Sequence, residues 1–327
     1  QTDVPTYHED VSVFEVKQRD GTHLGILYVD YFPRASKRGG AWMGEFRQQS
    51  NVGGKSIRPI IYNVGNFSKP TGGKPSLLSF EEVETLFHEF GHALHGLLSD
   101  CTYESLAGTN VSRDFVELPS QIMENWAAEP SVLRQYARHY ETDRPMPDSL
   151  IEKIRKARHF NQGFATTEYL AASLLDMNWH TLTEADAELD VPDFEDKYLE
   201  KIGLIPEIIP RYRSTYFRHI FAGGYSSGYY SYIWSEVLDA DAFGAFKEAG
   251  DIFNPKMAKD RSSGEIADHL HQYFADCIAR DSLRVWFLRG DFPTANQLTG
   301  WVIRKGISTF RHRAQDALHR TMRGALT

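Results

Sequence analysis

His88-Glu89-Phe90-Gly91-His92 sets two imidazoles four residues apart with a carboxylate beside the first. On an α-helix, residues i and i+4 lie about 40° apart around the axis, so both rings aim at one point. Glu89, about 100° from His88, flanks that point without competing for it. The surroundings predict the helix. Ser79 and Glu82 form an S-x-x-E capping box, and Phe80, Val83, Phe87, Phe90, Leu94 and Leu97 recur at steps of three and four. The pattern predicts about five turns ending near Ser99 and Asp100. Its apolar stripe (Phe87, Phe90, Leu94) is expected to face away from the two histidines. Gly91 and Gly96 cost helix propensity, which implies close approach by another backbone or a substrate. The bland alternative is a surface helix that happens to carry two histidines.

H-E-x-x-H on a helix is the pattern of a zinc site whose Glu serves as general base. Catalytic zinc takes three protein ligands and keeps a fourth position for water. Glu117, 25 residues after His92 and just before Pro119, is the preferred third ligand, in competition with Glu104, Glu124 and Asp114. One Zn2+ per chain is expected. Asp114 and Glu124 are candidates to orient the imidazoles, because ligating histidines donate their other N–H to an oxygen. His95 shares their face and reads equally well as a structural histidine.

A second cluster runs from His219 through Gly223, Gly224, Tyr225, Gly228 and Tyr229 to Tyr232. Its phenols and imidazole are donors that could face an oxyanion. Its glycines would suit a hinge closing over substrate. Helix entry with aromatic packing is the competing reading.

Upstream of Leu77 the chain reads as β. Strands are expected over Val11–Lys17, Leu24–Phe32 and Arg58–Val64, in a small sheet of three or four, with a turn at Asp20-Gly21. Helical patterns cover Gln121–Tyr140, Asp148–Arg158, Phe164–Leu182 and Tyr229–Gly250. Residues 260–327 hold ten basic against seven acidic residues, within a chain of net charge −8. The expected division is a catalytic domain over 1–259 and a divergent helical tail over 260–327. The acidic balance argues against a nucleic-acid partner, and no apolar run is long enough to span a bilayer. Two cysteines allow one disulfide at most, so a cytoplasmic, reducing setting is the default, with a periplasmic one as the alternative. No leader is legible from Gln1.

The stretches FHEFGHALHGL, AGTNVSRDFVELPSQIMENWA and HIFAGGYSSGYYSYIWSEV resemble the thimet oligopeptidase and dipeptidyl carboxypeptidase family of zinc metallopeptidases. LGILYVDYFPRASKRGGAWMGEF and IIYNVGNFSKP fit as well. The likeness runs from about Tyr7 to Phe243 and corresponds to the family's catalytic half. Beyond about Asn254 the sequence leaves the family pattern. The six-residue step from His219 to Tyr225 is similar to the dipeptidyl carboxypeptidase branch. The resemblance implies a mainly α, zincin-type fold with a small sheet beside the active site. It implies Glu117 as the zinc carboxylate, and a substrate-facing loop of Gly223, Gly224, Tyr225, Tyr229 and Tyr232. Tyr229 or Tyr232, with His219, would steady the oxyanion. The expected activity is hydrolysis of short peptides, releasing C-terminal dipeptides, with Glu89 as general base. An endo-oligopeptidase of the same family is one alternative. A non-catalytic peptide- or metal-binding fragment lacking an N-terminal lobe is another. An edge strand is expected to pair with substrate backbone.

Overall fold

A computed structural model of the chain describes residues 4–183 and 189–254. The chain divides into two units, residues 1–252 and 253–327. The expected tail, with Cys277, lies outside the described residues, as does the proposed boundary at 259.

The β-rich start forms one four-stranded sheet of order β1-β2-β4-β3, from β1 (Ser12–Lys17), β2 (His23–Asp30), β3 (Trp42–Arg47) and β4 (Ile60–Val64). Strands β1 and β2 make an antiparallel hairpin, β2 and β4 run parallel, and β3 pairs antiparallel with β4. The hairpin turn uses Gly21 at φ +89 and an Asp20 side chain that accepts the Thr22 N–H at 2.9 Å. Strand β3 had no separate signal in the sequence, since Met43-Gly44-Glu45 breaks the apolar alternation.

Helix α1 (Phe80–Leu97) starts at the expected capping box, with Ser79 and Glu82 bonded reciprocally at 3.2 and 2.8 Å. It lies on one face of the sheet, where Ala93 and Leu97 pack with Leu27, Val29 and Ile61. This corrects the expected stripe: Phe90 is exposed, and the small residues Gly91, Ala93 and Gly96 are the buried ones. The helix is pinned between two neighbours, and a close approach selects small side chains on both sides. A Cβ on Gly96 would stand 2.7 Å from Ile61 Cδ1 and 2.8 Å from Met43 Cε.

Helix α2 (Leu118–Ala127) packs against α1, and α3 (Pro130–Tyr136) follows after a break. The single helix expected over Gln121–Tyr140 is thus divided. Proline at 130 has no N–H to continue the ladder and starts a new helix instead. Helices α4 (Asp148–Ala157), α5 (Gln162–Trp179) and α8 (Ser231–Glu248) match the expected segments within a few residues. Helix α6 (Val191–Lys201) was not anticipated, although Asp190 caps it by accepting the Asp193 N–H at 2.9 Å. Short α7 (Arg218–Ala222) precedes the tyrosine cluster. Among the described residues, no helix is long and apolar enough to cross a membrane.

Helix α8 meets α2 through a buried polar pair. Asn125 donates to Asp239 at 3.0 Å, and Arg158 donates to Asn125 at 3.1 Å. Burial, then repulsion from Glu124 and Glu236, push the Asp239 carboxyl up to about 7 despite the Asn125 hydrogen bond. A raised folded pKa means stability present below the unfolded value near 3.9 is lost as pH rises through about 7. Asp239→Asn keeps an acceptor for Asn125 and removes the charge. Its stability should exceed the parent's at pH 8 by about 1–3 kcal/mol. Near pH 4 the two should converge, and thermal denaturation across pH 4–8 reads the difference.

Candidate metal centre and active site

Three ligand atoms converge where α1 meets the start of α2. His88, His92 and Glu117 each offer one, all within 4.8 Å of one another. His88 Nε2 and His92 Nε2 lie 3.3 and 3.1 Å from Glu117 Oε2. Ligands about 2.0–2.1 Å from a tetrahedral zinc stand roughly 3.3–3.4 Å apart, so the spacing suits that ion. Glu117 is 2 % exposed at the N-cap of α2, and Ser120 donates to its Oε2 at 2.9 Å. Burial pushes its carboxyl up, but His88 and His92 outweigh this and hold it well below the usual carboxylate range.

Helix contact explains why the ligands meet. A Cβ on Gly91 would stand 2.3 Å from the Pro119 carbonyl and 2.6 Å from Ser120 Cα. Glycine therefore lets the first turn of α2 rest on the H-E-x-x-H turn of α1. The close approach inferred at Gly91 is made by α2 backbone.

Glu124, one turn further along α2, accepts from His88 Nδ1 at 2.6 Å. That contact leaves the Nε2 lone pair free for a cation. Burial disfavours charge on His88, yet Glu117 and Glu124 push it up to about 10. The Asp114 carboxylate is bonded to neither imidazole: His88 Nδ1 is taken by Glu124, and His92 Nδ1 has no partner among the described residues. Asp114 instead offers its backbone carbonyl to Ser235 at 3.1 Å. His95 is held down to about 4, first by burial and then by His92, which fits an uncharged structural ring.

Glu89 is 6 % exposed, and its Oε2 lacks a partner among the described residues. Burial raises its pKa, joined by repulsion from Glu117 and Glu124, against the two imidazoles. A raised carboxylate beside a metal site is a better proton acceptor than an ordinary one.

The tyrosine cluster reaches the same point. Tyr225 donates to Glu117 Oε1 and stacks on Tyr232 at a ring separation of 5.3 Å. Tyr232 is held well above its usual pKa by burial and then by Glu117, so it remains a donor. Burial, then Arg211, lowers the pKa of His219, favouring the neutral ring. Its ring centroid lies 6.5 Å from that of Tyr232. Tyr229 sits deeper in the same aromatic cluster, its ring 5.4 Å from that of Tyr232 and 5.6 Å from that of His219. It is 2 % exposed in a cluster with Ala172, Phe217 and Ile220, because an apolar pocket between α5 and α7 takes its ring. Tyr225 reaches Glu117 directly, and Tyr232 stacks on Tyr225 while packing against the same cluster as Tyr229.

The loop is not a free hinge. Gly223 ends α7, Gly224 turns the chain at φ +81, and Ser227 sits at φ +53. Asp176 of α5, fully buried, accepts the Ser227 and Tyr229 N–H groups at 2.9 Å each and pairs with His180 at 2.8 Å. Sequence reading missed Asp176, Ser120 and Tyr169, which donates to the Tyr229 carbonyl. An aspartate in the last turn of a largely apolar helix, where a negative charge opposes the helix dipole, was the available signal for the first.

Comparison with known proteins agrees with this arrangement. The profile of peptidase family M3 matches residues 1–265. The dipeptidyl carboxypeptidases of Escherichia coli K12 and Salmonella typhimurium LT2 are each 51 % identical over 251 residues, covering 76 % of this chain and 37 % of theirs. Oligopeptidase A of Escherichia coli K12 is 41 % identical over 261 residues, covering 77 % and 37 %. The chain thus spans well under half the length of these relatives. The match encloses the H-E-x-x-H helix, the Glu117 turn and the tyrosine loop, so the chain belongs to peptidase family M3, on its dipeptidyl carboxypeptidase branch.

Proposed function

We propose that this chain hydrolyses short peptides at one zinc ion held by His88, His92 and Glu117, releasing dipeptides from the C-terminus. The observation carrying this reading is the convergence of those three ligand atoms beside the buried, unpartnered Glu89 carboxylate. Zinc bound there would polarise the scissile carbonyl and acidify the attacking water. Glu89 takes the water's proton and delivers it to the leaving amine. Tyr232, which stays protonated, donates to the developing oxyanion with His219 beside it. Tyr225 holds Glu117 from the side opposite Ser120, which keeps the carboxylate from turning. The released dipeptide follows the branch rather than the fold, since relatives named for dipeptide release and relatives named as oligopeptidases both match about three quarters of this chain.

The test is mass spectrometry of products from an N-acetylated decapeptide incubated with zinc-supplemented protein. Stepwise dipeptides from the C-terminus are expected. Internal fragments would move the reading to an endo-oligopeptidase, and an untouched peptide would leave a peptide- or metal-binding fragment. A Glu117→Gln variant should bind zinc on the order of 100-fold more weakly or worse, because an amide oxygen carries no charge to offset the cation. Zinc titration against a chromophoric chelator reads this without turnover. Equal affinity in the variant would remove Glu117 from the ligand set.

A further inference from the structure

Arg113 is exposed beside this site, four residues before Glu117. Its guanidinium carbon lies 4.7 Å over the ring of Tyr225, whose hydroxyl reaches Glu117. Its stem and fork fill the space above two loop glycines. A Cβ on Gly224 would come 3.3 Å from Nη2, and one on Gly228 would come 3.5 Å from Cγ. Arg113 is exposed, and among the described residues no carboxylate pairs with it. Nearby guanidiniums are engaged: Arg211 is hydrogen-bonded to Tyr212, and Arg213 pairs with Glu195 and Asp196.

We infer that Arg113 captures the C-terminal carboxylate of the peptide and thereby sets where the chain is cut. This rests on the dipeptide-releasing reading above. A guanidinium fork pairs with a carboxylate through two parallel hydrogen bonds and stays charged at any working pH. Stacking on Tyr225 fixes the plane of that fork in advance. The reach also fits. One phenol ring separates Arg113 from Glu117, and two extended residues span about 7 Å at 3.3–3.6 Å each. A carboxylate on Arg113 therefore places the metal ligands about two residues from the chain end. Gly224 and Gly228 leave the room that the Arg113 side chain occupies against the loop.

The test compares a product-like dipeptide, Ala-Phe, with its C-terminal amide. Each is titrated by calorimetry into the zinc-supplemented full chain, so no turnover is needed. The parent should prefer the acid by roughly 10- to 100-fold, the range of a charge-assisted pair. Arg113→Met, which keeps the stem over Tyr225, should lose that preference while binding the amide as before. Arg113→Lys should restore part of it. With decapeptide acid and amide as substrates, Arg113→Met should raise KM for the acid and leave kcat/KM for the amide unchanged. An acid preference that survives Arg113→Met overturns the assignment. If the parent releases dipeptides and Arg113→Met releases them at the parent's KM, the assignment fails while the dipeptide reading stands. A parent that makes internal fragments and shows no acid preference overturns both.

Discussion

Glu89→Gln keeps its zinc and its fold and loses turnover by about 10²- to 10⁴-fold, the range set by removing one general base. The amide has nearly the same volume, so α1 still packs on the sheet through Ala93 and Leu97. The ligands His88, His92 and Glu117 are untouched, so zinc content should match the parent. What disappears is the acceptor. Burial raises the Glu89 pKa, which makes this carboxylate a stronger base than a solvated one, and glutamine has no lone pair of comparable basicity. Burial also removes a penalty: a neutral amide costs less in that environment than a charge, so the variant should be as stable as the parent or more so. Metal analysis, a melting curve and a peptide assay on the same preparation separate the three effects. Parent-like turnover with full zinc would remove Glu89 from the chemistry, and a variant that loses zinc would show that the carboxylate helps to hold the ion.

Gly91→Ala should be the most damaging single-carbon change in the described chain. The added Cβ would meet backbone, at 2.3 Å from the Pro119 carbonyl oxygen and 2.6 Å from Ser120 Cα, and neither atom can rotate away. Helix propensity alone would favour alanine by about 1 kcal/mol. Overpacking against rigid backbone costs about 1–3 kcal/mol and sometimes more, so the clash wins. Its second effect is chemical. Relief requires α2 to move off α1, and the same turn of α2 carries Glu117 and Ser120. Zinc affinity should fall about 10- to 100-fold, as it does when the support of a ligand is lost. Gly244 in α8 is the matched control, since a Cβ there meets nothing within 4 Å among the described residues. Gly244→Ala should gain up to about 1 kcal/mol and leave zinc affinity alone. Denaturant melts and zinc titrations of the two variants should therefore move in opposite directions in stability. A neutral Gly91→Ala would show that the two helices have slack.

The metal centre was legible because its logic is local. Helix periodicity sets the separation of His88 and His92, and the Ser79-Glu82 box sets where the helix begins. Glu117 was harder, since Glu104, Glu124 and Asp114 offer the same chemistry within one short stretch, and the contact through Gly91 decides among them in space. Glu124 and Asp114 shared one expectation, and the structure gives the imidazole contact to Glu124 alone. The tyrosines show the limit most plainly. Tyr225, Tyr229 and Tyr232 carry the same hydroxyl within eight residues, but Tyr225 is the one bonded to Glu117, while Tyr229 is buried against α5, an element from before α6 that its own stretch could not reveal. Strand β3 and helix α6 were missed for opposite reasons: β3 has a weak pattern, and α6 has a cap at Asp190 that was available to be read.

The three ligands have a further consequence, in the entropy of the chain. His88, His92 and Glu117 all fall within Phe80–Ala127, on two helices in direct contact, whereas Tyr225 and Tyr232 come from more than a hundred residues downstream. Joining ligands across a connection of 25 residues closes a short loop, and the entropic cost of loop closure grows only with the logarithm of length. Zinc capture thus belongs to a nearly self-contained helical pair and can be completed early in folding. Delivery of the tyrosines waits on long-range packing of α5, α7 and α8. On the proposed function, damage to that later packing would silence catalysis in molecules that still bind zinc, so zinc content would report the formation of the helical pair rather than the assembly of the whole site.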